Sequence, residues 1–169
     1  MNVNVENPLV RFFLNQIQHY NHKKYWIMRS HVVDNNSKIT KITRLYYLLR
    51  IKRMDSHNNA SMGTDLGAGA QFSSPPILPH GLNGIIVSHY AKIGHNCTIH
   101  QRVTIATGNN GDGATIGDNC LIGAGAVIIG GVRIGNNVSI GANAVVLTDV
   151  PDNCFAVGVP ARIIDRTIE

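Results

Sequence analysis

The residue in this chain best placed to do chemistry is a histidine at the end of a proline-stiffened stretch. His80 follows Pro75, Pro76 and Pro79 in a segment, Phe72 to Gly84, that interrupts an otherwise regular repeat. A neutral imidazole accepts a proton well near neutral pH, because its reference pKa of about 6.5 leaves it mostly unprotonated. The plainer alternative is a turn histidine with a satisfied hydrogen bond. Of the eight histidines, His19, His22, His31 and His57 lie outside the repeat and read as surface. His95 and His100 lie within it and His89 just ahead of it. Three imidazoles could share a zinc ion across a subunit interface, and His95 and His100 are five residues apart. At about eighteen residues per coil, the upstream positions matching His95 are Ile77 and Asn59, which are not zinc ligands. No metal is expected.

What must position His80 is a repeat of six residues between Ile93 and Gly158. The hexads begin at Ile93, Ile99, Ile105, Ile116, Ile122, Ile128, Ile134, Ile140 and Val146. Each first residue is Ile or Val, the second is often Gly, and the fifth is Cys, Val or Ala. So short and strict a period predicts a β-helix in which each hexad is a brief strand plus a turn. The aliphatic first residue points into the bore and the compact fifth packs beside it. Cys97 and Cys120 occupy fifth positions and read as small core hydrophobes. Between Ile105 and Ile116 the spacing is eleven, so the residues around Thr107 to Gly113 must bulge as a turn-rich loop. Leu66 to Gln71 reads as an isolated earlier hexad.

The chain of 169 residues is about one domain's worth, with a globular composition of 44% hydrophobic and 15% charged residues. It has neither an apolar run long enough to span a membrane nor a signal-peptide layout, so the cytoplasm is expected. The net charge of +5 is unevenly spread: residues 1–62 hold ten Lys and Arg against three acids, and all seventeen Gly lie beyond them. Residues 1–56 therefore read as an α-helical N-terminal cap and 57–169 as the β-helix domain with a C-terminal tail. Asn7-Pro8 suits a helix start leading into Leu9, Phe12, Phe13 and Ile17. After a polar break, Ile39, Ile42, Leu45, Tyr46 and Leu49 recur at helical spacing beside Lys38, Lys41, Arg44 and Lys52. These helices are expected to cover the open end of the solenoid. A basic amphipathic face also leaves peripheral membrane contact open, whereas no motif accompanies the charge that would suggest nucleic acid.

From Gly63-Thr64-Asp65, through His80-Gly81-Leu82-Asn83-Gly84-Ile85-Ile86-Val87 and Gln101-Arg102-Val103-Thr104, to Gly158-Val159-Pro160-Ala161-Arg162, the chain resembles the hexapeptide-repeat acyltransferases. The match is to their serine acetyltransferase-like branch. The resemblance implies a mainly β fold, a left-handed parallel β-helix with a short α-helical N-terminal segment. It also implies a homotrimer with active sites between subunits, and acetyl-CoA as the donor. Carried over position by position, His80 falls on the catalytic base and Asp65 on the carboxylate that orients it. Ala124 and Ala142 fall where backbone contacts the CoA arm, Thr107 lies near that arm, and Arg162 near its nucleotide end. Three features depart from the pattern: the loop at Thr107 to Gly113 is short and carries no His, Pro79 stands where an acid precedes the catalytic His, and one residue is added between His80 and Gly84. These departures look more like the sugar and capsular-polysaccharide O-acetyltransferases.

Acetyl transfer from a thioester to an alcohol needs a base for the hydroxyl proton and a carboxylate to fix the base's tautomer. The tetrahedral oxyanion needs backbone N–H donors, for which Gly81 and the Gly-rich coil edges are suited. Direct attack is expected, with no covalent enzyme intermediate. The expected activity is therefore acetyl-CoA-dependent O-acetylation, probed first on a sugar or polysaccharide hydroxyl, with L-serine as the alternative acceptor and a non-catalytic trimeric scaffold as a third reading.

Overall fold

The computed structural model describes residues 7, 8, 17 and 19–166. Of the helix expected to start at Asn7-Pro8, the residues Leu9, Phe12 and Phe13 lie outside those described. Two helices follow, α1 (His22–Val33) and α2 (Lys41–His57). Asn21 caps the first by accepting a hydrogen bond from the Lys24 backbone, and Thr40 caps the second through Thr43. From there the chain winds as a parallel β-solenoid. Its first passage holds β1 (Ser61–Met62), β2 (Thr64–Asp65), β3 (Ala68–Gly69) and β4 (Gln71–Phe72). The next holds β5 (Ile86–Val87), β6 (Lys92–Ile93) and β7 (Thr98–Ile99), followed by β8 (Thr104–Ala106), β9 (Thr115–Ile116) and β10 (Leu121–Ile122). Then come β11 (Val127–Ile129), β12 (Arg133–Ile134), β13 (Ser139–Ile140) and β14 (Val145–Val146), and finally β15 (Cys154–Val157) and β16 (Arg162–Asp165).

The strands stack into three faces of a prism. One face runs β1-β5-β8-β11-β14, a second β4-β6-β9-β12, and a third β7-β10-β13-β15, closed by antiparallel β16. We call these the first, second and third faces. Pairing keeps hexads in phase: Ile122 lies between Ile99 and Ile140, and Ile105 between Val87 and Ile128. All nine hexad-leading residues are buried, as are the fifth-position Cys97, Val103, Cys120, Ala126, Val138 and Ala144. Burying one branched aliphatic chain per strand supplies about 1.5–3 kcal/mol each, which is how strands of two or three residues hold together. Polar corner residues add a feature not anticipated from the repeat. Asn96, Asn119, Asn137 and Asn153 all take positive φ along the corner between the second and third faces, where the Asn96 amide donates to Asn119 Oδ1 and the Asn137 amide to Asn153 Oδ1.

Cys97, Cys120 and Cys154 are free and buried, in keeping with a hydrophobic role. Their thiols lie against backbone carbonyls, Cys97 Sγ at 3.1 Å from Gly117 O and Cys120 Sγ at 3.0 Å from Gly135 O. One sequence expectation fails. Leu66 does not lead a hexad into the bore: it is 52% exposed at the tip of the β2–β3 hairpin, whose Gly67 N–H bonds to the Val32 carbonyl of α1. The hairpin leaves the solenoid because it packs on the helices.

The helices cover the solenoid's first passage. Tyr25, Trp26, Val32 and Ile51 are buried there, and Arg29 is spent on backbone that no earlier coil could pair. Its guanidinium donates to Ala70 O at 2.6 Å, Met62 O at 3.1 Å and Thr64 Oγ1 at 3.0 Å. Burial lowers the Arg29 pKa to about 10, so the side chain stays charged at neutral pH. Beside it, the Tyr25 hydroxyl donates to Asp55 Oδ1 at 2.7 Å.

Candidate functional site

The edge between the third and first faces carries most of the residues assigned to chemistry. The turn that follows the Ile77–Thr98 bridge places His80 there, exposed, ahead of β5. The next coil puts His100 at the same edge, and the two imidazole centroids are 6.0 Å apart and tilted by 45°. Farther along, the backbone joins Asn83 to Arg102, Gln101 to Gly125, and Ala124 to Asn143 by N–H···O bonds of 2.9–3.0 Å. Ala124 and Ala142 therefore lie on the same edge as His80, Ala124 half-buried and Ala142 exposed. Arg162 begins β16, exposed and paired opposite Val157. The Gly81 N–H is already committed to the Leu78 carbonyl at 3.1 Å. It is not a free oxyanion donor, because the same turn that presents His80 consumes it.

The other border of the first face, toward the second, holds the remaining assigned residues. Thr107 follows β8, half-buried, at the start of the expected loop, which bonds Gly108 N to Asp112 O and Gly111 N to Gly108 O. Asp65, in β2, sits at this border one coil above His89. Its carboxylate oxygens face His89 Nδ1 at 3.3 Å and Lys52 Nζ of α2 at 3.6 Å. The structure thus joins Asp65 to His89 within this protomer and gives His80 to His100. The sequence offers His89 as a zinc ligand and, behind His80, as a base, and its contact with Asp65 is not foreseen there. The available signal was its place two residues beyond β5, at the border where Asp65 also falls.

Asp65 and His89 open onto a cleft of about 930 Å³, also lined by Phe72, Ser73, Tyr90 and Lys92 and floored by Trp26 and Arg29. Farther down the solenoid, His95 is engaged elsewhere. Its backbone N–H and ring bond Asp118 Oδ1 at 2.7 and 3.2 Å, holding that carboxyl below its ordinary pKa. Among the described residues there is no cluster of three His, Cys, Asp or Glu side chains that could hold a metal ion.

Comparison with known proteins follows the same lines. The family described as "Bacterial transferase hexapeptide (six repeats)" matches residues 113–148. Serine acetyltransferase of Synechococcus elongatus is 37% identical over 121 residues, covering 69% of this chain and 49% of that protein. Serine acetyltransferase of Staphylococcus aureus strain Mu50 is 34% identical over 150 residues, covering 87% of this chain and 59% of that protein. A solved serine acetyltransferase in complex with CoA superposes with a TM-score of 0.65 at 25% identity, covering 94% of this chain and 63% of that one. The chain spans about a third to three-fifths of the length of the curated relatives it matches. With its hexads in register along a three-faced solenoid, the chain carries the repeat of the bacterial hexapeptide transferases and is similar to serine acetyltransferases over most of its own length.

Proposed function

We propose that the chain is an O-acetyltransferase that uses acetyl-CoA and transfers the acetyl group directly to a hydroxyl. The observation that supports this most is its similarity to serine acetyltransferase over 87% of its length, together with a CoA-bound serine acetyltransferase of the same fold. On that reading the relatives favour L-serine as the acceptor. An imidazole on the solenoid takes the hydroxyl proton as oxygen attacks the thioester carbonyl. The sequence match assigns this to His80 with Asp65 behind it, and the CoA arm to Thr107, Ala124 and Ala142, with Arg162 toward the nucleotide. A glycan hydroxyl is the second reading, favoured by Pro79 in place of an acid and by a loop that presents Asp112 and no imidazole. Free serine carries two charges that both need partners once they leave water, whereas a sugar hydroxyl needs only hydrogen bonds.

We also propose a homotrimer. Outward residues of the first and third faces are rich in apolar side chains, among them Ile86 at 41% exposure, Leu121 at 42% and Ile77 at 55%. The second face instead presents Gln71, Lys92, Thr115 and Arg133. Two sticky faces per chain suit a closed ring in which each subunit meets two neighbours. α2 exposes Ile42, Leu45 and Leu49 among basic residues. Peripheral membrane contact through this surface remains a proposal, and no helix among the described residues is long and apolar enough to cross a bilayer.

The experiment is thiol release from acetyl-CoA with L-serine, nucleotide sugars and capsule fragments as acceptors. Saturable release with serine supports the first reading. A glycan acceptor preferred by at least about 100-fold, roughly 2.7 kcal/mol of transition-state discrimination, supports the second. No release with any acceptor refutes both.

A further inference from the structure

We propose that the groove between the two helices holds the acceptor, and that the acceptor it takes carries a phosphate or diphosphate group. This rests on the acetyl-transfer reading above and deepens it by naming the acceptor's chemical class. The groove has a volume of about 670 Å³, and its walls include His19, Lys24, Arg50, Arg53 and His57 but no Asp or Glu. The two imidazoles come from different segments and stand with centroids 3.9 Å apart, tilted by 49°. None of these five side chains makes an ion pair among the described residues. Arg50 is positioned by the Tyr46 hydroxyl, to which its guanidinium donates at 3.2 Å. Residues 19–57 hold nine Lys and Arg against Asp34 and Asp55, and Asp55 is buried against Tyr25. A solvated helix face explains scattered lysines, but not like charges that converge on one concavity from α1, α2 and the residue ahead of α1. Arg53 and His57 suit the C-terminal end of α2. Lys24 does not suit its own place: it stands in the first turn of α1, where the helix field disfavours a cation and no acid is present.

The groove borders the turn that presents His80. Tyr20 is one of its walls, and a side chain on Gly81 would meet the Tyr20 ring at 3.4 Å. Asn58, next to His57, accepts the Gly84 N–H through its carbonyl at 2.9 Å. An acceptor whose anion sits in the groove is thereby tethered beside the imidazole assigned to its hydroxyl proton. Guanidinium groups match phosphate oxygens in pairs, and three permanent cations with two imidazoles suit a multiply charged phosphate better than a single carboxylate. L-Serine would bring an ammonium group for which the groove has no carboxylate. A sugar linked to phosphate brings negative charge and free hydroxyls together, a chemistry that hexose phosphates and nucleotide sugars share. Acetyl-CoA also carries phosphates, but the sequence match puts its nucleotide end at Arg162 in the last strand, whereas the groove lies at the solenoid's first passage.

The test measures binding first and turnover second. Calorimetry with inorganic pyrophosphate is expected to show saturable binding that weakens at least about tenfold in Lys24→Gln/Arg53→Gln, with acetyl-CoA affinity changed less than about twofold. Both side chains are exposed, so the variant is expected to keep the wild-type melting temperature. Lys38→Gln/Lys41→Gln removes the same charge from exposed positions outside the groove and is expected to leave pyrophosphate binding unchanged. An equal loss in both variants, no binding to the wild type, or binding that acetyl-CoA abolishes overturns the proposal. Thiol release is then compared for glucose, galactose and N-acetylglucosamine, each as the free sugar, the 1-phosphate and the uridine diphosphate sugar. A phosphate-bearing form of the best sugar is expected to exceed the free sugar at least about 100-fold in kcat/KM, and by less than about tenfold in Lys24→Gln/Arg53→Gln. The two phosphate forms tell a monoester acceptor from a diphosphate one. L-Serine preferred to every phosphate-bearing sugar, or an advantage that the variant retains, overturns the proposal. Phosphatidylglycerol vesicles that bind the wild type when pyrophosphate does not would make the groove a membrane surface and overturn it as well. If no acceptor is acetylated, the function proposed above fails and the calorimetry still decides whether the groove takes phosphate.

Discussion

Replacing Asp55 with Asn should make this protein more stable, and only above a defined pH. Asp55 is 4% exposed in the helical layer, with Oδ1 accepting from Tyr25 and Oδ2 without a hydrogen bond among the described residues. Burial raises its pKa from 3.8 to about 6, outweighing the Tyr25 hydrogen bond and the nearby charges of Lys52 and Arg29, which pull it down. A carboxyl whose folded pKa is raised favours the folded state while it is protonated. That contribution is complete below the unfolded value near 4, is lost as pH rises through about 6, and is absent above it. A displacement of about two units corresponds to about 3 kcal/mol between the two limits. Asn cannot ionise and keeps an oxygen for Tyr25, so Asp55→Asn should gain about 2–3 kcal/mol over the wild type at pH 8 and almost nothing at pH 4. Urea unfolding of both proteins at unit pH steps from 4 to 8 isolates this group, since all other titrations cancel in the difference. A gain equal at every pH, or a loss at pH 8, would refute the account. The first would mean that Asp55 is not the titrating group, the second that its charge is a net stabiliser through Arg29.

Other outcomes follow from the same packing. Arg29→Met should cost about 3 kcal/mol in urea unfolding, because it leaves the Ala70 and Met62 carbonyls and the Thr64 hydroxyl without their charged donor; a neutral substitution would show that these groups find water. Ile122→Ala should cost about 2–5 kcal/mol, since Ile122 is fully buried between Ile99 and Ile140 and the ladder cannot collapse onto the gap. Light scattering should give three times the 18.4 kDa chain mass, and Ile86→Glu should shift it toward a single chain. A monomeric wild type at micromolar concentration would remove the trimer.

Much of the architecture was legible in the chain because a hexad reports its own geometry. An aliphatic residue every sixth position has no use except in a bore, and each of those from Ile93 to Val146 is buried. The interrupted spacing after Ile105 likewise marked a loop that the structure has between β8 and β9. Leu66 was misread because an apolar residue before Gly-Ala-Gly-Ala satisfies the hexad pattern locally, while the hairpin's direction depends on α1, more than thirty residues earlier.

The site divides in the same way. Which residue types were available for proton transfer was evident from His80, Asp65 and the motif around them. Which carboxylate meets which imidazole was not. Solenoid neighbours are set by coil length, so residues 24 apart, such as Asp65 and His89, meet at 3.3 Å, while residues 15 apart, such as Asp65 and His80, lie at different edges of the prism. The spacing alone could not say so, because the β2–β3 hairpin and the loop after Ile77 both break the six-residue count that converts sequence separation into position. By itself the sequence determined the bore, the strand period and the set of reactive groups, since each depends on residues near one another in the chain. Only the tertiary structure decided their pairing, because contact across coils is the sum of every insertion between them.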